Sequence, residues 1–184
     1  MKRFRFFALF GVAAFGILVA QCAKAPTNEL AAARDAVASA KAAEAEKYAM
    51  PEFSAVKESL TVAEADVTAH RYKLAKSRLE SLVPLAKTVK MRAEAGGAVA
   101  RLNASIAEAK ELSKKVNGKN DRSKDIADVE TGVTSLQSLQ NWDNFTGAVT
   151  KAHASMAKLD SIKADLNTQI AKEHKPFAKA KKKK

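Results

Sequence analysis

Residues 53–67 read FSAVKESLTVAEADV. Phe53, Val56, Leu60, Ala63 and Val67 recur at spacings of 3, 4, 3 and 4. That spacing puts five apolar side chains on one face of an α-helix. The same period recurs on both sides of this stretch, so the expected fold class is all-α. Upstream, Met50-Pro51 separates this helix from an earlier one. Proline suits a first helical position, and the residue before it is pushed out of the helical region. The earlier helix carries Leu30, Ala33, Val37 and Ala40 and is expected to run to about Tyr48. Thr27 or Asn28 is its expected cap, with Glu29 favoured in the first turn by the helix dipole. Downstream, the stripe would continue onto His70. Instead the strongest series is Tyr72, Ala75, Leu79 and Leu82. The five-residue step from Val67 to Tyr72 moves the seam off its face and predicts a break near His70-Arg71. Pro84 is expected to kink the third helix, which should fade toward Gly96-Gly97.

After Gly96-Gly97 the pattern begins again. Val99, Leu102, Ile106 and Ala109 repeat the spacing of Leu30, Ala33, Val37 and Ala40 at an offset of 69. Ile126, Val129, Val133 and Leu136 match Phe53, Val56, Leu60 and Ala63 at an offset of 73, and Phe145 and Ala148 match Tyr72 and Ala75 at the same 73. Asn117-Gly118 is a good helix end, Ser123 and Asp143 are expected caps, and Pro176 should end the last helix. The expectation is two tandem three-helix units, 22–95 and 98–172, packed as a helical bundle or short solenoid.

Composition agrees with helices that have thin, Ala-lined seams. Aromatics are 6% of the chain, Gly 7 residues and Pro 4, and Ala is the best helix former with the smallest side chain. The formal charge of +12 is uneven. Lys2, Arg3 and Arg5 lie at the start, and seven lysines stand against Glu173 from Lys172 onward. The body between Cys22 and Ala171 has a net charge of only +3, so the high isoelectric point describes the two ends and not a basic domain.

The first twenty-two residues decide the address. A short cationic start precedes Phe6–Ala20, which holds no charge, and then Val19-Ala20-Gln21-Cys22 brings the only cysteine. This pattern is that of a secretory signal, 1–21, and with its terminal cysteine it resembles a bacterial lipoprotein signal. That resemblance implies acylation of the Cys22 sulfur and cleavage just before it. Gln21 departs from the Gly or Ala usual in lipoprotein signals. Two other readings stay open: ordinary secretion with cleavage at Ala23-Lys24-Ala25, and an uncleaved anchor, although the apolar run is shorter than the ~20 residues a spanning helix needs. With no further cysteine there is no internal disulfide to expect.

The Ala-rich first helix with Lys41 to Tyr48 before a proline turn, together with Tyr72-x-x-Ala75, resembles a family of small Ala-rich bacterial lipoproteins whose domain has no assigned function. Some members of that family sit beside OmpA-type peptidoglycan-binding domains. The aromatic-x-x-Ala step is also similar to tetratricopeptide-like repeats, without their 34-residue signature. The chain resembles the murein lipoprotein as well, which is small, Ala-rich and helical and ends in a lysine joined to peptidoglycan; here Lys184 is the last residue, but no long heptad is present. The Ala-Lys tail, 173–184, resembles linker-histone tails, yet export argues against nucleic acid.

No catalytic or metal motif stands out. His70, His153 and His174 lack metal-ligand spacing. Asp121, Asp125 and Asp128 lack the glycine and terminal glutamate of a calcium loop and are read as first-turn acids. Gly96-Gly97 is not followed by the Lys-Ser/Thr of a phosphate loop. Trp142 and Phe145 are read as core staples, or as a ligand-facing aromatic pair. The expectation is therefore a non-enzymatic cell-envelope lipoprotein without cofactor or metal, held to membrane lipid at Cys22. It would sit in the outer membrane facing the periplasm and act as a structural or protein-interaction module. The tail, expected to lack structure of its own, offers Lys175, Lys179, Lys181, Lys182, Lys183 and Lys184 to an anionic surface. The alternatives are a linker to peptidoglycan through these lysines, and a secreted nucleic-acid-binding protein.

Overall fold

The computed structural model describes residues 24–116, 121–141 and 144–173. They form six helices and no strand: α1 Thr27–Ala42, α2 Ala45–Tyr48, α3 Met50–Thr68, α4 Tyr72–Ser113, α5 Ser123–Asn141 and α6 Phe145–Glu173. The chain is all-α. In α3 the sequence stripe faces inward, with Phe53, Val56 and Ala63 buried and Leu60 and Val67 partly so.

The expected first helix is broken short of Tyr48. Glu44 takes a φ of 60°, a left-handed conformation that disfavours residues with a Cβ. The turn buries Ala45 and lays Tyr48 against α4. Neither Thr27 nor Asn28 caps α1; no side chain does. The buried Pro26 precedes the helix instead, and its carbonyl accepts from the Leu30 N–H at 3.0 Å. At the α3–α4 turn the break falls where the seam shifts. His70 has a φ of 57°. Its N–H donates to the Val67 carbonyl at 3.0 Å, and that of Arg71 donates to the Asp66 carbonyl at 2.9 Å. This is the paired closure of a helix C-terminus around a left-handed residue, here with histidine in place of glycine.

α4 corrects the sequence reading most. The third helix was expected to fade at Gly96-Gly97, and it runs unbroken through Pro84 and both glycines for 42 residues. At about 1.5 Å per residue it is about 63 Å long. Pro84 is exposed, so the hydrogen bond it removes opens to water. The glycines serve close approach: an added Cβ on Gly96 would lie 2.9 Å from the Tyr48 Cβ, and one on Gly97 would lie 3.3 Å from Tyr48 Cε2. The boundary drawn between 95 and 98 therefore falls inside a helix.

Two cores share α4. Along its first half, Leu79, Leu82, Ala86, Val89 and Ala93 pack with Ala33 and Ala40 of α1 and Phe53, Val56 and Ala63 of α3. Along its second half, Ala98, Leu102, Ile106 and Ala109 pack with Ile126, Val129, Val133 and Leu136 of α5 and Ala152, Leu159, Ile162 and Leu166 of α6. Burial on α4 and α6 keeps the offset of 73: Ala75 with Ala148, Leu79 with Ala152, Ala86 with Leu159, Val89 with Ile162, and Ala93 with Leu166. Each fully buried Leu or Ile contributes about 1.5–3 kcal/mol, and the alanines between them let the helices approach closely.

Candidate functional site

The helix directions produce two distant poles. α1 starts beside the start of α4, where Glu29 meets Lys76 at 3.2 Å. α3 runs the opposite way, with Glu52 bonded to Arg92 and Asp66 at the turn into α4. The described body thus opens, at Lys24, beside the first turns of α4. α5 descends from the other end: the Ser113 hydroxyl donates to the Asp121 carbonyl at 2.5 Å, and Lys110 reaches Glu130 at 2.7 Å. α6 then climbs beside α4 from Phe145, which packs on Ala95, past Lys163, which reaches Ser105 at 3.0 Å. It ends at Glu173, past Ile170, which packs on the second core.

At the near pole a shallow cleft of about 830 Å³ is lined by Lys24, Pro26, Glu29, Tyr72, Lys73 and Lys76, among others. Glu29 is held below the usual carboxylate range, first by its own backbone N–H and then by Lys76. Lys76 is raised, chiefly by its bond to Glu29. Beside this cleft His70, Arg71, Lys73, Leu74 and Ser77 form a second hollow, and His70 Nδ1 lies 2.6 Å from Tyr72 Oη. Asp66, 2% exposed, pins the turn. Arg71 Nη2 lies 2.6 Å from its Oδ1 and Arg78 Nε 2.9 Å from its Oδ2. The second contact is an ion pair without hydrogen-bond alignment, since that oxygen has no hydrogen-bond partner. Asp66 was not singled out from sequence, but it lies one turn beyond Ala63 on the buried face, and an acid there is a legible signal.

At the far pole Arg122, with a φ of 57°, bonds Asp165 at 2.7 Å and Asp125 at 3.1 Å. Lys163 is raised, first by Asp160. The aspartates of this region act as caps and ion partners: the Asp121 carboxylate accepts from the Ser123 N–H at 3.1 Å and from its hydroxyl at 3.0 Å. The expected Ser123 cap is thus reversed, Ser123 being the donor. Among the described residues no group of three or more His, Cys, Asp or Glu is placed to hold a metal. His153 is exposed. Phe145 is a core residue, 3% exposed, with the Arg92 guanidinium 5.3 Å from its ring centre. Asn144, next to the expected Asp143, caps α6 by accepting from the Gly147 N–H at 3.0 Å.

The residues expected to carry function lie outside the described residues: Cys22, and Lys175, Lys179, Lys181, Lys182, Lys183 and Lys184. So do the signal segment 1–21, Asn117-Gly118, Trp142, Asp143, His174 and Pro176. No helix among the described residues is long and apolar enough to cross a membrane. Comparison of the chain with family models, curated proteins and solved structures returned no match.

Proposed function

We propose that this chain is a cell-envelope lipoprotein, tethered to the outer membrane through an acylated Cys22, that acts as a non-enzymatic spacer. The observation that supports the reading is that the body opens at one pole and closes at the other. Lys24 lies at the start of α4, and Asp165, eight residues before the end of α6, is bonded to Arg122 in the segment that follows the far end of α4. The separation along α4 is about 60 Å. Residues 174–184 span at most about 40 Å when fully extended. They do not reach back to the surface that holds Cys22 while the body stands upright on it. Lys175, Lys179 and Lys181–Lys184 then face a second anionic layer, the cell wall or an envelope protein. A triacylated anchor holds stably where a single myristoyl-length chain does not.

Fatty-acid labelling with cell fractionation tests the tether. Wild-type protein takes label and stays with membranes through a salt wash, and Cys22→Ala does neither; an unlabelled wild type with a mature start at Pro26 sinks the reading. Vesicles carrying the acylated protein should also sediment isolated wall, and deletion of 175–184 should abolish this at low salt. Covalent linkage through Lys184 is the second reading, favoured by the same far-pole exit. It forecasts protein that remains on the wall after boiling in detergent and is lost from it when Lys184 alone is removed.

A further inference from the structure

We propose that the near pole is itself a membrane-docking surface. Lys24 and Lys73 meet anionic lipid headgroups and Leu74 enters the interface, so that the helical body stands upright on the bilayer. The inference rests on the Cys22 tether and adds a second contact to it. Its first support is distance. Cys22 precedes Lys24 by two residues and Thr27 by five, and an extended chain covers about 7 Å and about 18 Å over those steps. A lipid on Cys22 therefore leaves no room for a long linker, and the first turns of α1 and α4 come to headgroup level.

The second support is charge. Residues 24–29 and 66–80 carry five basic residues (Lys24, Arg71, Lys73, Lys76, Arg78) against three acids, Glu29, Asp66 and Glu80. All three acids are already engaged, Glu29 and Glu80 by Lys76 and the buried Asp66 by Arg71 and Arg78. Lys24 and Lys73 are exposed and have no ion partner among the described residues. Among the described residues the far pole is nearly even: 110–116, 121–125 and 165–173 hold six basic residues and five acids, ahead of the lysines of 175–184 that the proposed function gives to a second layer. The third support is Leu74. It is 44% exposed and lines the same hollow as Arg71 and Lys73, where an apolar side chain near cations can enter a headgroup layer while the cations stay at phosphate level.

The test uses the acylated full chain, isolated from membranes, with the acyl group on Cys22 first verified by mass spectrometry. An acylated Cys22 has no free thiol, so a single new cysteine takes a fluorescent probe. Ser77→Cys reports the near pole and Thr168→Cys the far pole. The protein is placed in vesicles of phosphatidylcholine with or without phosphatidylglycerol, all containing a headgroup spin-label quencher. On anionic vesicles the Ser77 probe should be quenched several-fold more than the Thr168 probe. Each lysine near such a surface is worth about five-fold in the docking equilibrium. Lys24→Glu/Lys73→Glu, with helical content unchanged, should therefore bring Ser77 quenching down to its level on phosphatidylcholine alone. Equal quenching of both probes would mean a body lying flat. Quenching at Ser77 that ignores both phosphatidylglycerol and the charge reversal would mean a tether without docking. A Ser77 probe that is free on vesicles but shielded in intact cells would mean a protein occupant. Each of these overturns the proposal while an acylated Cys22 keeps the tether reading; a Cys22 without acyl group overturns both.

Discussion

At Gly96 the α4 backbone touches the Tyr48 side chain at its root, where the tyrosine has no freedom to swing aside. Glycine to alanine inside a helix ordinarily stabilises by about 1 kcal/mol. Here the added methyl overpacks, so Gly96→Ala should lower stability by about 1–3 kcal/mol. Gly132 on α5 has nothing within 4 Å of an added Cβ, and Gly132→Ala should raise stability by up to about 1 kcal/mol. Thermal unfolding of both variants checks the contrast, and in a Tyr48→Gly background, which removes the Cβ that the new methyl meets, the penalty at Gly96 should vanish. A second residue-scale outcome concerns Glu29, whose carboxyl is depressed below its ordinary 4.5. A depressed folded value means stability that is present above the unfolded value and lost as pH falls through the folded one. Melting temperatures of wild type and Glu29→Gln should therefore differ at neutral pH and converge in acid below the ordinary glutamate range. A gap that persists there would show that the charge of the carboxylate, held by its backbone N–H and by Lys76, is not its source.

At the scale of helices, the positive φ values at turns among the described residues fall on non-glycines: Glu44, His70 and Arg122. The period of apolar residues located the break at His70 and not the one at Glu44. At His70 the stripe itself changes face, whereas at Glu44 the turn follows from seating Tyr48 on α4. Matched seam positions also differ in depth. Val133 is buried at 8% exposure, while Leu60 packs on the first core only in part. Val133→Asp should cost about 3–5 kcal/mol, because it buries an unpaired charge. Leu60→Asp should cost less, about 1–3 kcal/mol, since the carboxylate can turn toward water. Circular dichroism melts of the two variants check the order, and a thermally silent Val133→Asp would show that its stripe is not a core seam.

For the whole molecule, the continuity of α4 decides the shape. With α1 and α3 on one half and α5 and α6 on the other, both cores hang from a single rod of about 63 Å. Spin labels at Ser77→Cys and Thr168→Cys should report a separation of about 50 Å or more by pulsed dipolar spectroscopy, set by the rise of the helices between them. A broad distribution reaching short distances would mean that α4 bends at Gly96-Gly97, as a helix-ending reading of those glycines implies.

The all-α class, a helix break next to Met50-Pro51 (it falls at Ala49, and Met50 is already in α3), the turn at His70-Arg71 and most buried positions were legible in the residues alone. The helical period is a local property, and burial follows the apolar face it creates. The proposals that Cys22 accepts an acyl group and that the lysines from Lys175 to Lys184 meet an anionic layer rest on sequence alone, on the order of charge, apolar run and cysteine and on the run of lysines. Three things waited for the tertiary structure. A glycine pair has the same letters whether it ends a helix or admits a neighbour, and only the position of Tyr48 separates the two. Asp66 on an apolar face is tolerated because Arg71 and Arg78, five and twelve residues on, are folded back over it. That the two ends of the body lie at opposite poles depends on how α1 and α6 both run alongside α4, and long-range packing, not local period, sets those directions.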